Sequence, residues 1–465
     1  MNKRLFLKKG SGLLVGGALA SLYSFTGCGS NKENTVNESL RMIDESPGSR
    51  TNWAGNLSYN AKDFQEPTSI EELQSLVRAT NKVRVLGTKH CFNRIADSDF
   101  SQISVRAFSN KLQVDSVNMK ATINSGASYG QICTELHNQG FALHNLASLP
   151  HISVAGAMAT ATHGSGVANG NLGSAVSGFE FIDSDGSLHK LSHEQDGEGF
   201  QTLITHLGAL GIITSITLDL QPAFDVVQRV YQELPVRILL ENFLAVMSGG
   251  YSVSLFTDYQ SDTVNQVWVK SRADSTGEVD PDDYYGARAA TRNLHPISAM
   301  SAENCTEQMG VSGPWYERLP HFRMDFTPSS GKELQSEFFV PIEHASEAFE
   351  VIAALKKQLK PVLMISEVRT IAGDNQWMSP FYHQDSVAFH FTWEQSQAGV
   401  EAVLPLIQDG LERFGVRPHW GKVFTINPQR MRSLYPNLDK FKQVVTRYDP
   451  NRKFINKFLE KLLYS

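Results

Sequence analysis

The chain has 465 residues, of which 41% are hydrophobic, 10% aromatic and 19% charged. That composition builds packed cores and excludes wholesale disorder, and the length suits about two or three structural units. With 42 Lys and Arg against 48 Asp and Glu, net −6, the chain is poorly suited to general nucleic-acid binding, and Cys28, Cys91, Cys133 and Cys305 form neither a disulfide framework nor a CxxC zinc pair.

Residues 1–10 are basic through Lys3, Arg4, Lys8 and Lys9, and residues 11–27 are small and apolar up to Cys28. This order reads as an export signal with a small-residue cleavage site. Lys3-Arg4-Leu5-Phe6-Leu7-Lys8 resembles a twin-arginine signal with Lys in the first Arg position. Phe25-Thr26-Gly27-Cys28 resembles a lipoprotein cleavage site, with Phe25 where Leu is usual. An uncleaved anchor helix is the alternative, but the run is short against the roughly 20 residues that span a bilayer. Residues 29–50 are polar and read as a tether. The expectation is an exported protein of a bacterial envelope or periplasm, lipid-anchored at Cys28, with no other membrane segment.

Residues 51–222 read as one unit of short strands and helices. Ser69-Ile70-Glu71-Glu72 is a capping-box pattern, followed by Ile70, Leu73, Leu76 and Val77 at helical spacing. Val83–Leu86 is a strand, Ala121–Asn124 another, and Tyr129–Asn138 a helix ending at Gly140. Asp185-Gly186 joins two strands, 179–183 and 188–191, as a hairpin, and 212–220 alternates as a strand should. Residues 223–415 form a second unit, helices against an antiparallel sheet. Its strands lie at 251–258, 265–271, 333–340, 362–371 and 386–393, with a helix over 342–359 and a charged loop at 272–290. Residues 416–465 form a last loop and a helical tail.

Neither a P-loop nor HExxH is present, and no metal site is expected. His163-Gly164-Ser165-Gly166-Val167-Ala168-Asn169-Gly170 misses GxGxxG at Asn169, which argues against a nicotinamide site. Gly126-Ala127-Ser128-Tyr129-Gly130 matches GxSxG. It reads first as a strand-to-helix turn with Ser128 as N-cap, and alternatively as a hydrolase elbow. Three other constellations carry more chemistry. In Val85-Leu86-Gly87-Thr88-Lys89-His90-Cys91 a strand delivers a turn with His90 at its tip. Residues 146–164 are dense in small residues and hydroxyls, the makings of a phosphate cradle. In the second unit Glu367 and Arg369 share one strand face, as do His390 and Thr392 with Phe389, Phe391 and Trp393 opposite. Such a strand is either half-solvated or lines a polar pocket. Lys422 sits among apolar residues in Pro418-His419-Trp420-Gly421-Lys422-Val423-Phe424, as a snorkelling or a pocket cation. Together these groups suit a neutral, hydroxyl-rich ligand.

The segments Gly87–Asn93, Ala147–Gly156 and His419-Trp420-Gly421-Lys422 resemble the alditol/xylitol oxidases, which belong with the sugar-lactone oxidases to the vanillyl-alcohol-oxidase-type flavoproteins. The likeness runs from Asn52-Trp53-Ala54-Gly55-Asn56 to Phe454-Ile455-Asn456, through Asn304-Cys305-Thr306-Glu307-Gln308 and Phe326-Thr327-Pro328-Ser329-Ser330-Gly331. It implies an α+β fold: a two-part FAD-binding domain of the PCMH type and an α+β substrate (cap) domain with an antiparallel sheet. The C-terminal segment would return to the flavin. It implies FAD bonded through its 8α carbon to His90. Val85, Leu86, Gly87, Thr88, Lys89, Cys91, Ser148, Ser153, Gly156, Thr160, Ala161, Thr162, His163, Ile213 and His419 would contact the cofactor. Ser148, Glu367, Arg369, Thr392 and Lys422 would bind substrate, with Lys422, Arg369, Glu367 and His390 catalytic. The implied reaction oxidises the primary C1 hydroxyl of an alditol to the aldose with O2 going to H2O2. A lactone-type flavin dehydrogenase using another electron carrier is the alternative, and a serine hydrolase or a non-catalytic sugar-binding lipoprotein lies further off. The chain departs from the family in its export signal, the 272–290 loop, and Cys91 where many relatives carry Ser.

Overall fold

A computed structural model describes residues 50–108, 111–275, 280, 282–324 and 333–465. The export signal, Cys28, nearly all of the tether, part of the 272–290 loop and the Phe326–Gly331 motif lie outside the described residues.

The described residues of the N-terminal half build two larger sheets and a two-stranded pairing of Phe141–Ala142 with Gln221–Pro222. Asp63–Gln65, Ser101–Ile103 and Val83–Val85 form a three-stranded parallel sheet in that order. Helix Ile70–Ala79 starts where Ser69 Oγ accepts from the Glu72 amide, and it buries Leu73 and Val77 beside Val83 and Ile103. A five-stranded antiparallel sheet follows the order Gln113–Asp115, Lys120–Asn124, Ile212–Asp219, Val176–Ile182, Leu188–Ser192. The hairpin between its last two strands turns at Gly186, φ +79°. Helix Tyr129–Asn138 buries Ile132, Cys133 and Leu136. Ser128 is its N-cap, and the Ser128 amide donates to Gln131 Oε1 at 2.8 Å. A structural cap accounts for the GxSxG match.

The second half is one 10-stranded antiparallel sheet. Its path runs Asp283–Tyr284, Ala287–Ala289, Asp225–Pro235, Thr263–Arg272, Ser252–Thr257, Leu363–Ile371, Ser386–Glu394, Glu333–Pro341, Arg417–Pro418, and the tenth strand, Gly313–Pro314, pairs with Asp225–Pro235 off this path. One face of the central strands presents Leu334, Phe338, Val368, Phe389, Phe391 and Trp393, which pack with Phe349, Ile352, Val400 and Leu404 of the helices Ala345–Ala354 and Gln397–Gly410. Past the sheet, Trp420, Met431, Leu438 and Phe441 join the core of Ile123, Phe179 and Ile216, so the C-terminal segment packs on the first half.

Two long elements went unread in the sequence. Strand Asp225–Pro235 carries polar Gln228 at a core position, where its amide donates to the Thr306 hydroxyl and the Glu307 carbonyl. Helix Gln397–Gly410 contains Gly399 and Pro405, which read as breakers. Its buried stripe Val400, Val403, Leu404 and Ile407 carries it through. The helix expected over 342–359 is instead divided into Ile342–His344, Ala345–Ala354 and Lys356–Leu359.

Candidate active site

The polar face of the large sheet and the loops of the first half enclose a cavity of about 510 Å³. Cross-strand pairing sets the polar wall. Glu367 stands opposite His390, and His390 opposite Glu337, in one row across neighbouring strands. Because side chains on a strand alternate, Arg369 and Thr392, two residues from Glu367 and His390, share their face. Of the two readings left open for this strand, the polar pocket is the one observed.

Glu337 is the centre of that wall, and the sequence reading passed over it. Its carboxylate accepts from Arg369 Nη2 at 2.7 Å and from Lys422 Nζ at 2.7 Å, with its side chain 1% exposed. His163 Nε2 lies 3.3 Å away. Burial alone would raise its pKa, but Lys422, His163 and Arg369 hold it well below the usual carboxylate range. The available signal was an acid beside the apolar run Phe338, Phe339 and Val340, on the same strand face as Glu333 and Gln335. Glu367 accepts from His321 Nε2 at 2.7 Å and lies 3.6 Å from Arg369 Nε. Burial opposes its ionisation too, and Arg369 and His321 overcome it.

Lys422 also donates to His390 Nδ1 at 2.7 Å, and His390 Nε2 lies 3.2 Å from Thr392 Oγ1. An ammonium only donates, so Nδ1 accepts and Nε2–H points at the threonine hydroxyl. Burial and Lys422 push the His390 imidazole down to about 4, leaving it neutral. Burial lowers the Lys422 pKa, and Glu337 opposes that fall. Arg369 and Lys422 thus balance the charges of Glu337 and Glu367, while Glu333, on the same strand face, has its pKa raised by burial; a balanced set of donors and acceptors fits an uncharged ligand whose hydroxyls both donate and accept.

The opposite wall is made by the loop after Val83–Val85. A Cβ on Gly87 would meet Ser153 Oγ at 2.6 Å, so a side chain there would displace the serine hydroxyl. The Ser153 amide donates to Thr88 Oγ1 at 3.2 Å, and Lys89 takes φ +62°. Among the described residues the amides of Gly87, Thr88, His90 and Cys91 meet no protein acceptor. A cradle of free amides beside hydroxyls fits the diphosphate of FAD. Thr160 Oγ1 stands 3.2 Å from Thr162 Oγ1, Ile213 is buried on the wall, and His419 Nδ1 accepts from the Gly421 amide at 3.0 Å. Val85, Leu86, Gly156 and Ser148 line the same cavity. Of the cofactor residues expected, Ala161 alone stands behind the wall, packed with Phe339, Ile371, Phe381 and Ala388. His90 Nδ1 is 3.3 Å from His151 Nε2, and the His90 ring centroid is 4.6 Å from that of Trp53. Burial, with His151, Lys422 and His390, lowers the His90 pKa well below its ordinary value, so the imidazole keeps a lone pair free.

Comparison with known proteins places these features. Residues 63–192 match the family model described as FAD binding domain, and residues 326–462 match that of D-arabinono-1,4-lactone oxidase. A solvent-stable cholesterol oxidase shares the fold at a TM-score of 0.72 and 14% identity, over 89% of this chain and 97% of that one. A xylooligosaccharide oxidase from Myceliophthora thermophila follows at a TM-score of 0.66 and 14% identity, over 87% and 93%. Fold and site thus define an FAD-dependent oxidoreductase acting on CH–OH groups. An alditol oxidase of a Streptomyces species is 44% identical over 416 residues, 89% of this chain and 98% of its own. An L-gulono-1,4-lactone dehydrogenase of Mycobacterium tuberculosis is 25% identical over 430 residues, 89% and 98%. The chain belongs to the alditol oxidase family.

Proposed function

We propose that the protein oxidises the primary C1 hydroxyl of an alditol, such as xylitol or sorbitol, to the aldose, with FAD bonded to His90 and O2 reduced to H2O2. The observation that carries this reading is the charge-balanced cluster of Glu337, Glu367, Arg369, His390 and Lys422 facing the loop that carries His90. Ser148, Glu367 and Thr392 orient the chain of hydroxyls. Arg369 and the Lys422 ammonium favour loss of the hydroxyl proton electrostatically. When bound, the flavin supplies the hydride acceptor. The free lone pair of His90, with His151 beside it, supports a covalent histidyl link. The leader adds the reading that the folded, flavin-loaded protein is exported by the twin-arginine route and anchored at Cys28.

The test is an anaerobic spectrum of the purified protein with a panel of alditols, then exposure to air. Bleaching by alditols and fast reoxidation with peroxide supports the proposal; a flavin that stays oxidised with every alditol refutes it. The match of residues 326–462 to a lactone-oxidase model favours a second reading, a lactone-type dehydrogenase, which the same experiment would reveal as bleaching by sugar lactones and slow reoxidation in air.

A further inference from the structure

Behind Glu367 and its partner His321 lies a further buried ion, Lys270. Lys270, on strand Thr263–Arg272, is 1% exposed. Its ammonium donates to the carbonyls of Leu319 and Pro320 and to His321 Nδ1, the last two at 3.2 Å, and to no carboxylate. The His321 ring lies edge-on between Phe256 and Trp268, at centroid distances of 5.4 and 5.1 Å, which fixes its plane. The His321 amide donates to the Ser148 carbonyl at 3.2 Å, so the same residue braces the other wall of the cavity.

Three N–H bonds of an ammonium meet three acceptors here. Nδ1 of His321 must then be unprotonated, and the proton of the neutral ring must sit on Nε2, which donates to Glu367 Oε1 at 2.7 Å. The opposite tautomer would set the Nε2 lone pair against an ionised carboxylate. Burial and Lys270 push His321 down to about 4, so the ring is neutral. Glu367 is left as an ionised group that can only accept.

We propose that Lys270 and His321 are positioning residues that determine specificity: Lys270 holds His321 in the Nε2–H tautomer, and this fixes Glu367 as an obligate acceptor that requires a hydroxyl on the substrate at that point. The proposal rests on the polyol reading. A substrate lacking that hydroxyl leaves Glu367 one hydrogen bond short beyond those from the protein, and a hydrogen bond to a charged group is worth about 10- to 100-fold in kcat/KM.

The test compares kcat/KM for an alditol and its singly deoxygenated analogues in wild type, Lys270→Met and Lys270→Gln. Burial lowers Lys270 to about 7, with Glu367 raising it and Arg369 and Cys305 its other ionisable neighbours, so assays are run at about pH 6. Wild type should reject one deoxy position by about 10- to 100-fold. Lys270→Met should lower that ratio to a few-fold, mainly through KM, and Lys270→Gln, which still donates, should keep more of it. An unchanged ratio in Lys270→Met, or equal loss for every substrate, overturns the proposal. The 15N resonances of the His321 ring, assigned with His321→Gln, give a second readout, and an Nδ1–H tautomer in wild type also overturns it. If no alditol bleaches the wild-type flavin, the polyol reading fails, while the tautomer measurement still decides the role of Lys270.

Discussion

Glu337→Gln removes one negative charge from the middle of the polar wall and almost no volume. Two cations, Arg369 and Lys422, lose their charged partner at 2.7 Å, and one of them meets an amide NH2 in place of an acceptor oxygen. Breaking a buried pair from one side costs about 3–5 kcal/mol, because the remaining charge stays desolvated. The pH dependence carries the sharper test. The native pKa of Glu337 is depressed, so its contribution is fully present above the unfolded value of about 4.3 and is lost as pH falls through the native pKa. Below about pH 4.3 the unfolded chain binds a proton at this site that the native protein does not, and wild type loses about 1.4 kcal/mol per pH unit that the variant does not lose. Acids distant from this wall titrate alike in both proteins and cancel in the difference, whereas Glu367, which shares Arg369 with Glu337, is coupled to the substitution. Urea unfolding of the flavin-loaded protein, followed by tryptophan fluorescence from neutral pH down to about pH 3, measures both curves. The stability gap should be widest near neutrality and narrow in acid. Parallel curves through the acid window would show that Glu337 is not the ionised hub of this wall.

Other expectations follow from the same geometry. Lys422→Met should slow anaerobic flavin reduction by roughly 10²-fold or more, the scale of one preorganised donor; an unchanged rate removes Lys422 from the reaction. His90→Ala should let FAD pass into the supernatant on acid precipitation, and flavin retained in the pellet would place the covalent bond elsewhere. Replacing Arg4 should stop export of flavin-loaded protein, and full export would dissociate the leader from the twin-arginine route.

The legible parts of this protein are those written in consecutive residues. The cap at Ser69, the helices Ile70–Ala79 and Tyr129–Asn138 and the turn at Gly186 depend on local geometry, which local sequence states. The loop Val85–Cys91 is legible for the same reason, since Gly87 and His90 sit at fixed spacing behind one strand. Glu337 was invisible because its meaning lies in register: nothing within Leu334–Val340 says that His390 stands opposite, or that Lys422 arrives from another segment. His321 and Lys270 are 51 positions apart and share a hydrogen bond only because a loop folds back over the sheet. Gln228 shows the converse, a polar residue whose burial hid a strand from a pattern based on apolar alternation.

The placement of the polar wall on a sheet explains how one site can be both charged and rigid. Apart from Lys422, which arrives on the loop after Arg417–Pro418, the ionisable side chains of the wall grow from strands whose other face is locked by large apolar groups, Phe338 beneath Glu337, Val368 between Glu367 and Arg369, Phe389 and Phe391 on either side of His390. A shift of one residue in any of these strands would turn its charges into that apolar core, where unpaired ions cost several kcal/mol each. Register is therefore enforced twice, by the packing on one face and by the ion pairs on the other. The same coupling makes the wall sensitive to substitution on its hidden side: a truncation at Phe389, which touches no part of the cavity, would loosen the strand that presents His390 to Lys422.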